Sequence, residues 1–214
     1  MSQKANVINF SKTDLIKKFI NNDESFKSFE DVVNSSLILN RELTIAGVDE
    51  QCAESVDTLI RFWNKVDEEA GLIKEERKPI KLYINSWGGS LTAAYTIINA
   101  IELSETPIWT INIGTAYSAG FFIFITGHKR FAYPLSSFLY HEGSTGRDGF
   151  EEAHKFRNRA DFYSKQLEQL KKHVLKYTAI SEEKYQTIIK DDYWLTARDA
   201  LELNICDEII GRFI

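Results

Sequence analysis

Twice in the middle of this chain an apolar run of strand length stops at small residues and reopens at once as a helix. The first run is PIKLYINS (residues 79–86), which meets Gly88 and Gly89 and continues as the helical pattern SLTAAYTIINAIEL. The second is PIWTINIG (residues 107–114), which turns and reopens at Ser118 into the apolar stretch FFIFIT. Strand, crossover helix and strand in repetition predict an α/β fold with largely parallel pairing. Two short strands, KRFAY and SSFLYHEG, flank Pro134. Upstream, RELTIAG (41–47) reads as a strand. Residues 50–69 read as a helix with Val56, Leu59, Ile60 and Trp63 on one face.

The longest helical signal lies at about 150–178. Phe156, Ala160, Tyr163, Leu167, Leu170, Val174 and Tyr177 recur with alternating four and three spacing, a heptad-type stripe. Such a helix either faces its own core or projects and pairs with another subunit. Ser181 and Thr196 follow as N-caps of two further helices, and CDEII closes the chain as a strand. Residues 1–30 are polar and charged and read as a variable N-terminal arm, leaving 31–214 as one domain.

A net charge of −5 over 214 residues gives no footprint for a polyanion, so nucleic acid is not an expected partner. Cys52 and Cys206 stand far apart without a CxxC partner and read as small apolar core residues; neither a disulfide framework nor a zinc site is expected. The longest apolar run, AGFFIFIT, falls well short of the roughly 20 residues of a membrane span. The opening residues lack the pattern of a signal peptide. The expected location is cytoplasmic.

Ser118 sits where a strand runs into a helix, beside free amide N–H groups that favour developing negative charge, as an acyl-transfer nucleophile requires. The segment is not the G-x-S-x-G elbow, because Ala116 occupies the first glycine position, and a plain helix-capping serine is the competing reading. In INSWGGS the paired glycines allow close backbone approach, but neither the P-loop lysine nor G-x-G-x-x-G is present. An oxyanion or a peptide backbone suits them better than a phosphate. Among four histidines, His128, His154 and His173 read as ordinary surface or core residues. Only His141, at a strand end before a glycine-containing loop, is placed as a general base should be.

Four segments together carry a family resemblance: LYINSWGGSLTA, IGTAYSAGFFIFITGHKRFAYPLSS, FLYHEG and DDYWLTARDALELNICDEII. In order and spacing they resemble the core segments of the Clp protease proteolytic subunits, over roughly residues 38–211. The resemblance implies a Clp/crotonase-type spiral of β-β-α units with a projecting handle helix at about 150–178. It also implies a serine endopeptidase with Ser118 as nucleophile, His141 as general base and Asp192 as the acid that orients the histidine, Asp191 being the competing carboxylate. Gly88, Gly89 and Ala119 match the substrate-binding and oxyanion positions. The family's subunits stack as two heptameric rings and are fed by an AAA+ unfoldase that hydrolyses the ATP, so no cofactor is expected in this chain. Trp87, Tyr117, Ala119 and Glu142 depart from the family pattern, and the expectation is altered side-chain preference. Competing readings are a weakly active or inactive paralogue of the barrel, a crotonase-like acyl-CoA enzyme, and a Ser-Lys peptidase using Lys129 or Lys155.

Overall fold

The computed structural model describes residues 29–143 and 152–214, and the expected arm at 1–30 lies almost wholly outside them. The chain divides into two units, Met1–Leu43 and Thr44–Ile214. In the first, helix α1 (Phe29–Leu39) ends at Asn40, whose side chain donates to the Ser36 carbonyl at 2.7 Å. Strand β1 (Glu42–Ile45) spans the boundary between the units.

The second unit opens with helix α2 (Glu50–Glu69), over the residues expected of it. The Asp49 carboxylate caps it by accepting the Cys52 N–H at 2.8 Å, meeting one of the four donors that a helix start leaves unpaired. Ala53, Val56, Ile60 and Trp63 are buried along one face, and Leu59 is half-buried. Asn64 then pins α2 to the chain after the next helix. Its amide oxygen accepts the N–H of Glu105 and of Thr106, both at 3.0 Å.

Strands β2 (Ile80–Ser86) and β3 (Ile108–Tyr117) lie side by side and parallel, joined by helix α3 (Leu91–Leu103). The crossover pattern thus gives the pairing it predicts. After helix α4 (Ala119–Ile125) come β4 (Lys129–Ala132) and β5 (Ser137–Tyr140), both parallel to β3. The sheet runs β1-β2-β3-β4 and closes with β7 (Glu208–Ile209), and β5 is attached to β3 beyond β4. The fold is α/β with a mostly parallel sheet, as the sequence predicts.

One side of β3 is shared by two strands in succession. Residues 109–112 pair with β4 and residues 115–117 with β5. The fully buried Asn112 sits at the change of partner. Its amide nitrogen donates to the Ser137 carbonyl at 2.9 Å, and its oxygen accepts the Gly114 N–H at 3.1 Å. Asn85 on β2 completes the joint by accepting the Thr115 N–H at 3.2 Å. A β-carbon at Gly114 would lie 2.6 Å from that Asn85 oxygen, so a side chain there would displace the Asn85 amide from this joint.

The run FFIFIT is the centre of the core. Every residue of α4 is buried, and Phe124 stacks edge-on against Phe138 of β5 with centroids 4.9 Å apart. Each of these large side chains contributes roughly 1.5–3 kcal/mol by leaving water. Helix α5 (Ala153–Tyr177) coincides with the long stripe. Only Leu170 and Val174 are buried, whereas Phe156 and Phe162, near its start, are 56% and 61% exposed. Among the described residues the helix buries side chains fully only in its second half.

Helix α6 (Glu182–Ile188) and helix α7 (Ala197–Glu202) start at their expected caps, Ser181 and Thr196. Between them lies a strand that the sequence reading omits: β6 (Tyr193–Thr196), antiparallel to β5. Its Tyr-Trp-Leu-Thr composition suits a strand, but four residues ending in a helix cap are too few to show alternation. The closing strand β7 (Glu208–Ile209) is shorter than CDEII. Cys206 is buried, which pushes its thiol up to about 11, while Cys52 is only half-buried.

Arg130 ties these late elements together. Its buried guanidinium donates to the Asp207 carboxylate, the Asn204 side chain and the Tyr177 carbonyl, and its N–H meets Asp207 at 2.7 Å. Arg130→Ala leaves the Asp207 charge and the Tyr177 carbonyl without these partners. The expected loss is about 3 kcal/mol, the lower part of the range for breaking a buried pair, since Asp207 keeps contact with water. Urea unfolding measures it, as a lowered midpoint at unchanged slope.

Candidate active site

The turn between β3 and α4 is made at one residue. Ser118 has φ 53 and ψ −121, and its hydroxyl makes no hydrogen bond to the helix that it precedes. The capping residues Asp49, Ser90, Ser181 and Thr196 behave differently: each has extended backbone, with φ between −125 and −65, and accepts an N–H from its own helix. Capping therefore does not account for Ser118. A non-glycine residue at positive φ is strained by about 1–3 kcal/mol, and the surroundings must hold it there. They do so through the Ser118 N–H, which donates to Leu139 of β5 at 2.9 Å, and through the buried helix that follows. The result is a hydroxyl directed away from the helix it begins.

The hydroxyl opens into a cavity of about 340 Å³. Gly89, Ser90 and Leu91 line one side, and Ser118, Ala119 and Phe122 line the next. His141, Glu142 and Gly143 enter from the end of β5, and Tyr163 and Leu170 from α5. The pairing of Tyr117 with Leu139 fixes this meeting, because it sets Ser118 and His141 one and two residues beyond paired positions on adjacent strands.

Gly88 and Gly89 follow β2 with φ of 104 and 148. A β-carbon on Gly88 would lie 2.7 Å from the Ser118 β-carbon, and one on Gly89 would lie 2.1 Å from the Val48 carbonyl oxygen. The two glycines differ in what their amides do. The Gly88 N–H is taken by the Ser86 hydroxyl at 3.1 Å, and its carbonyl accepts from Val48. The N–H groups of Gly89 and Ala119 have no acceptor among the described residues. Of the three positions expected to bind an oxyanion, Gly89 and Ala119 therefore keep a donor to offer, and Gly88 contributes its lack of a side chain.

His141 is partly exposed. Its Nδ1 stands 4.0 Å from Asp192 Oδ1, at the limit of an ion pair and beyond a hydrogen bond. Asp191 instead accepts the Asp192 N–H at 2.8 Å. Of the two acids, Asp192 is the one beside the histidine. The other histidines are engaged elsewhere. His128 accepts the Ile108 N–H at 2.9 Å, His173 bonds Thr126 at 2.9 Å, and His154 pairs with Glu152. Burial pushes the His128 and His173 imidazoles below their ordinary range. Lys129 lies over the Trp109 ring and Lys155 pairs with Glu152 at 2.8 Å, so neither lines the cavity as a Ser-Lys base would.

Trp87 and Tyr117, expected to bring bulk to the pocket, do not line it. Tyr117 is buried, its hydroxyl 2.6 Å from that of Ser137 and its ring edge-on between Trp87 and Trp194. Two contributors escape the sequence reading. Ser86, hidden inside a strand, holds the glycine turn through Gly88. Tyr163, read only as part of a stripe, donates its hydroxyl to the Glu142 carbonyl at 3.0 Å. Among the described residues no three His, Cys, Asp or Glu side chains are grouped to hold a metal.

Residues 48–213 match the family model described as Clp protease. The chain belongs to the Clp protease family. The match takes in the glycine turn, the strained serine, the histidine and both aspartates, so the cavity lies wholly within this Clp protease domain. That membership makes the chain a Clp-type peptidase by family. Among the described residues no helix is long and apolar enough to cross a membrane.

The close approach of Gly88 to Ser118 gives a direct test of the site's construction. Gly88→Ala places a methyl group against the Ser118 side chain at a φ that alanine resists. Labelling by a fluorophosphonate should fall at least about a hundredfold, the scale of a 1 Å misplacement of reacting groups, with far-ultraviolet circular dichroism retained.

Proposed function

We propose that this chain is a serine endopeptidase, the proteolytic subunit of a Clp-type ATP-dependent protease. The observation that carries the reading is the backbone of Ser118, held at φ 53 against its preference in a cavity that also contains His141. Strain kept at one half-buried hydroxyl, beside two unpaired amide donors, suits an acyl-transfer nucleophile and has no structural use that a capped serine would not serve better.

In the proposed reaction the Ser118 hydroxyl attacks the carbonyl carbon of a peptide bond as His141 takes its proton at Nε2. The tetrahedral oxyanion rests on the N–H groups of Gly89 and Ala119. Collapse breaks the C–N bond, and His141 returns the proton to the departing amine. Water, activated by the same imidazole, then cleaves the acyl-serine ester and restores the hydroxyl. Asp192 faces Nδ1, which leaves Nε2 for the serine; it orients the ring and balances the imidazolium. At 4.0 Å this contact is open, and catalysis requires it to close by about 1 Å to hydrogen-bond distance. The same separation favours the second reading, a weakly active or structural paralogue of the barrel.

The subunits assemble, in this proposal, into two stacked heptameric rings joined through the long helix, whose exposed Phe156 and Phe162 supply apolar surface for the contact. A partner AAA+ unfoldase supplies the ATP hydrolysis and feeds unfolded chains to the sites, in the cytoplasm.

Fluorophosphonate labelling with peptide turnover tests the nucleophile. Ser118→Ala should abolish labelling and reduce turnover on the order of 10⁶-fold. Labelling that survives the substitution would overturn the assignment, and a native chain that is inert in both assays would favour the structural paralogue. The acids are separated by a pair of variants. Asp192→Asn should lower kcat on the order of 10⁴-fold, the effect of depriving a triad histidine of its orienting carboxylate. Asp191→Asn should stay within about tenfold of the native chain, and the reverse ranking would reassign the acid.

A further inference from the structure

The cavity contains one charge that the proposed reaction does not use. Glu142 follows the general base directly and lines the cavity beside Gly143. Its backbone is fixed from outside, since Tyr163 donates its hydroxyl to the Glu142 carbonyl at 3.0 Å. That bond uses the only proton Tyr163 has, so the tyrosine cannot also serve the Glu142 carboxylate. Burial first, and then the Glu142 charge, push the Tyr163 hydroxyl above its ordinary range, and the same charge reaches Tyr140 and Tyr185.

No Lys or Arg pairs with Glu142 among the described residues. Lys171, which lies over the Tyr185 ring, is bonded to Glu182. No described Lys or Arg lines the cavity either, and the remaining described walls nearby, Leu91, Phe122 and Leu170, are apolar. Burial of Phe122 and Leu170 fixes both walls in place. A hollow with apolar sides and one unpaired carboxylate matches a side chain with a methylene stem and a cationic end.

We infer that the cavity selects lysine or arginine at the residue whose carbonyl Ser118 attacks. The stem lies against Phe122 and Leu170, and the cationic head meets the Glu142 carboxylate. The inference rests on the hydrolase reading for its position along the substrate, because the oxyanion donors in the same cavity place that residue's side chain there. Tyr163 acts as a positioning residue for Glu142.

The test uses the full-length chain and acyl-peptidyl aminomethylcoumarins that differ only in the residue before the coumarin: lysine, its uncharged analogue norleucine, or glutamate. The leaving group carries no further amino acid, so the series reads this one position. The lysine substrate should exceed norleucine in kcat/KM by at least about tenfold, the worth of one charge-assisted hydrogen bond, with glutamate lowest. In Glu142→Gln the lysine-to-norleucine ratio should collapse toward one. A ratio cancels any general loss of activity in the variant. Tyr163→Phe should reduce the ratio and be partly rescued at low temperature, whereas a purely structural loss lowers both substrates alike. Equal cleavage of lysine and norleucine by the native chain, or a ratio unmoved in Glu142→Gln, overturns the inference and leaves the hydrolase reading standing. If no substrate is cleaved, binding of the lysine and norleucine peptide amides to Ser118→Ala decides. A tenfold preference for lysine upholds the selectivity without the hydrolase reading, and equal binding rejects it.

Discussion

Strand β3 offers ten residues of edge, and neither β4 nor β5 alone can occupy it. The two strands divide it at Asn112–Gly114, and the position of the site follows from that division. Unpaired backbone at the change of partner would be costly in a buried sheet, so side-chain amides stand in for the missing ladder: Asn112 toward β5 and Asn85 from β2. Because β5 takes over only at Thr115, its end comes level with the end of β3. His141 is therefore delivered beside Ser118 by strand register rather than by a loop, and register set by a buried ladder changes only with the whole sheet.

The serine turn depends on the same packing. A positive φ at Ser118 costs free energy, and the chain bears it because both flanks are fixed. Before the turn, Tyr117 is paired with Leu139 and bonded to Ser137; after it, seven buried residues commit α4 to the core. Burial of Phe121, Phe122, Ile123, Phe124 and Ile125 yields several times what the strained residue loses. Gly88 then comes close against the serine, which no side chain at that position would permit. Core, strain and cavity are one arrangement.

Much of this was legible in the chain itself. The crossover pattern predicted parallel pairing. The caps at Ser181 and Thr196 and the bounds of α2 followed from capping chemistry and a one-sided apolar face, both local properties. What escaped was non-local. β3 runs three residues past Gly114, because that glycine accommodates Asn85 instead of ending a strand. β6 exists because β5 has a free edge for it, a fact written in no four-residue window. At the site, the juxtaposition of Ser118, Gly89, His141 and Asp192 was anticipated through family resemblance. The engagement of the Gly88 amide by Ser86 and of Glu142 by Tyr163 depends on side-chain contacts that spacing does not encode.

The long helix meets the same limit. Its stripe satisfies two demands in sequence, which is why a single role could not be chosen from the pattern. Toward its end, Leu170 and Val174 belong to the core, and at its start Phe156 stays in water. Tyr163 lies between them, seven residues or about two turns from Phe156 and so on the same face. A surface that covered Phe156 would settle the helix one step from the tyrosine that holds the Glu142 carbonyl, adjacent in the chain to His141. The helix thus reaches the active-site strand both through this hydrogen bond and through Leu170, which walls the cavity.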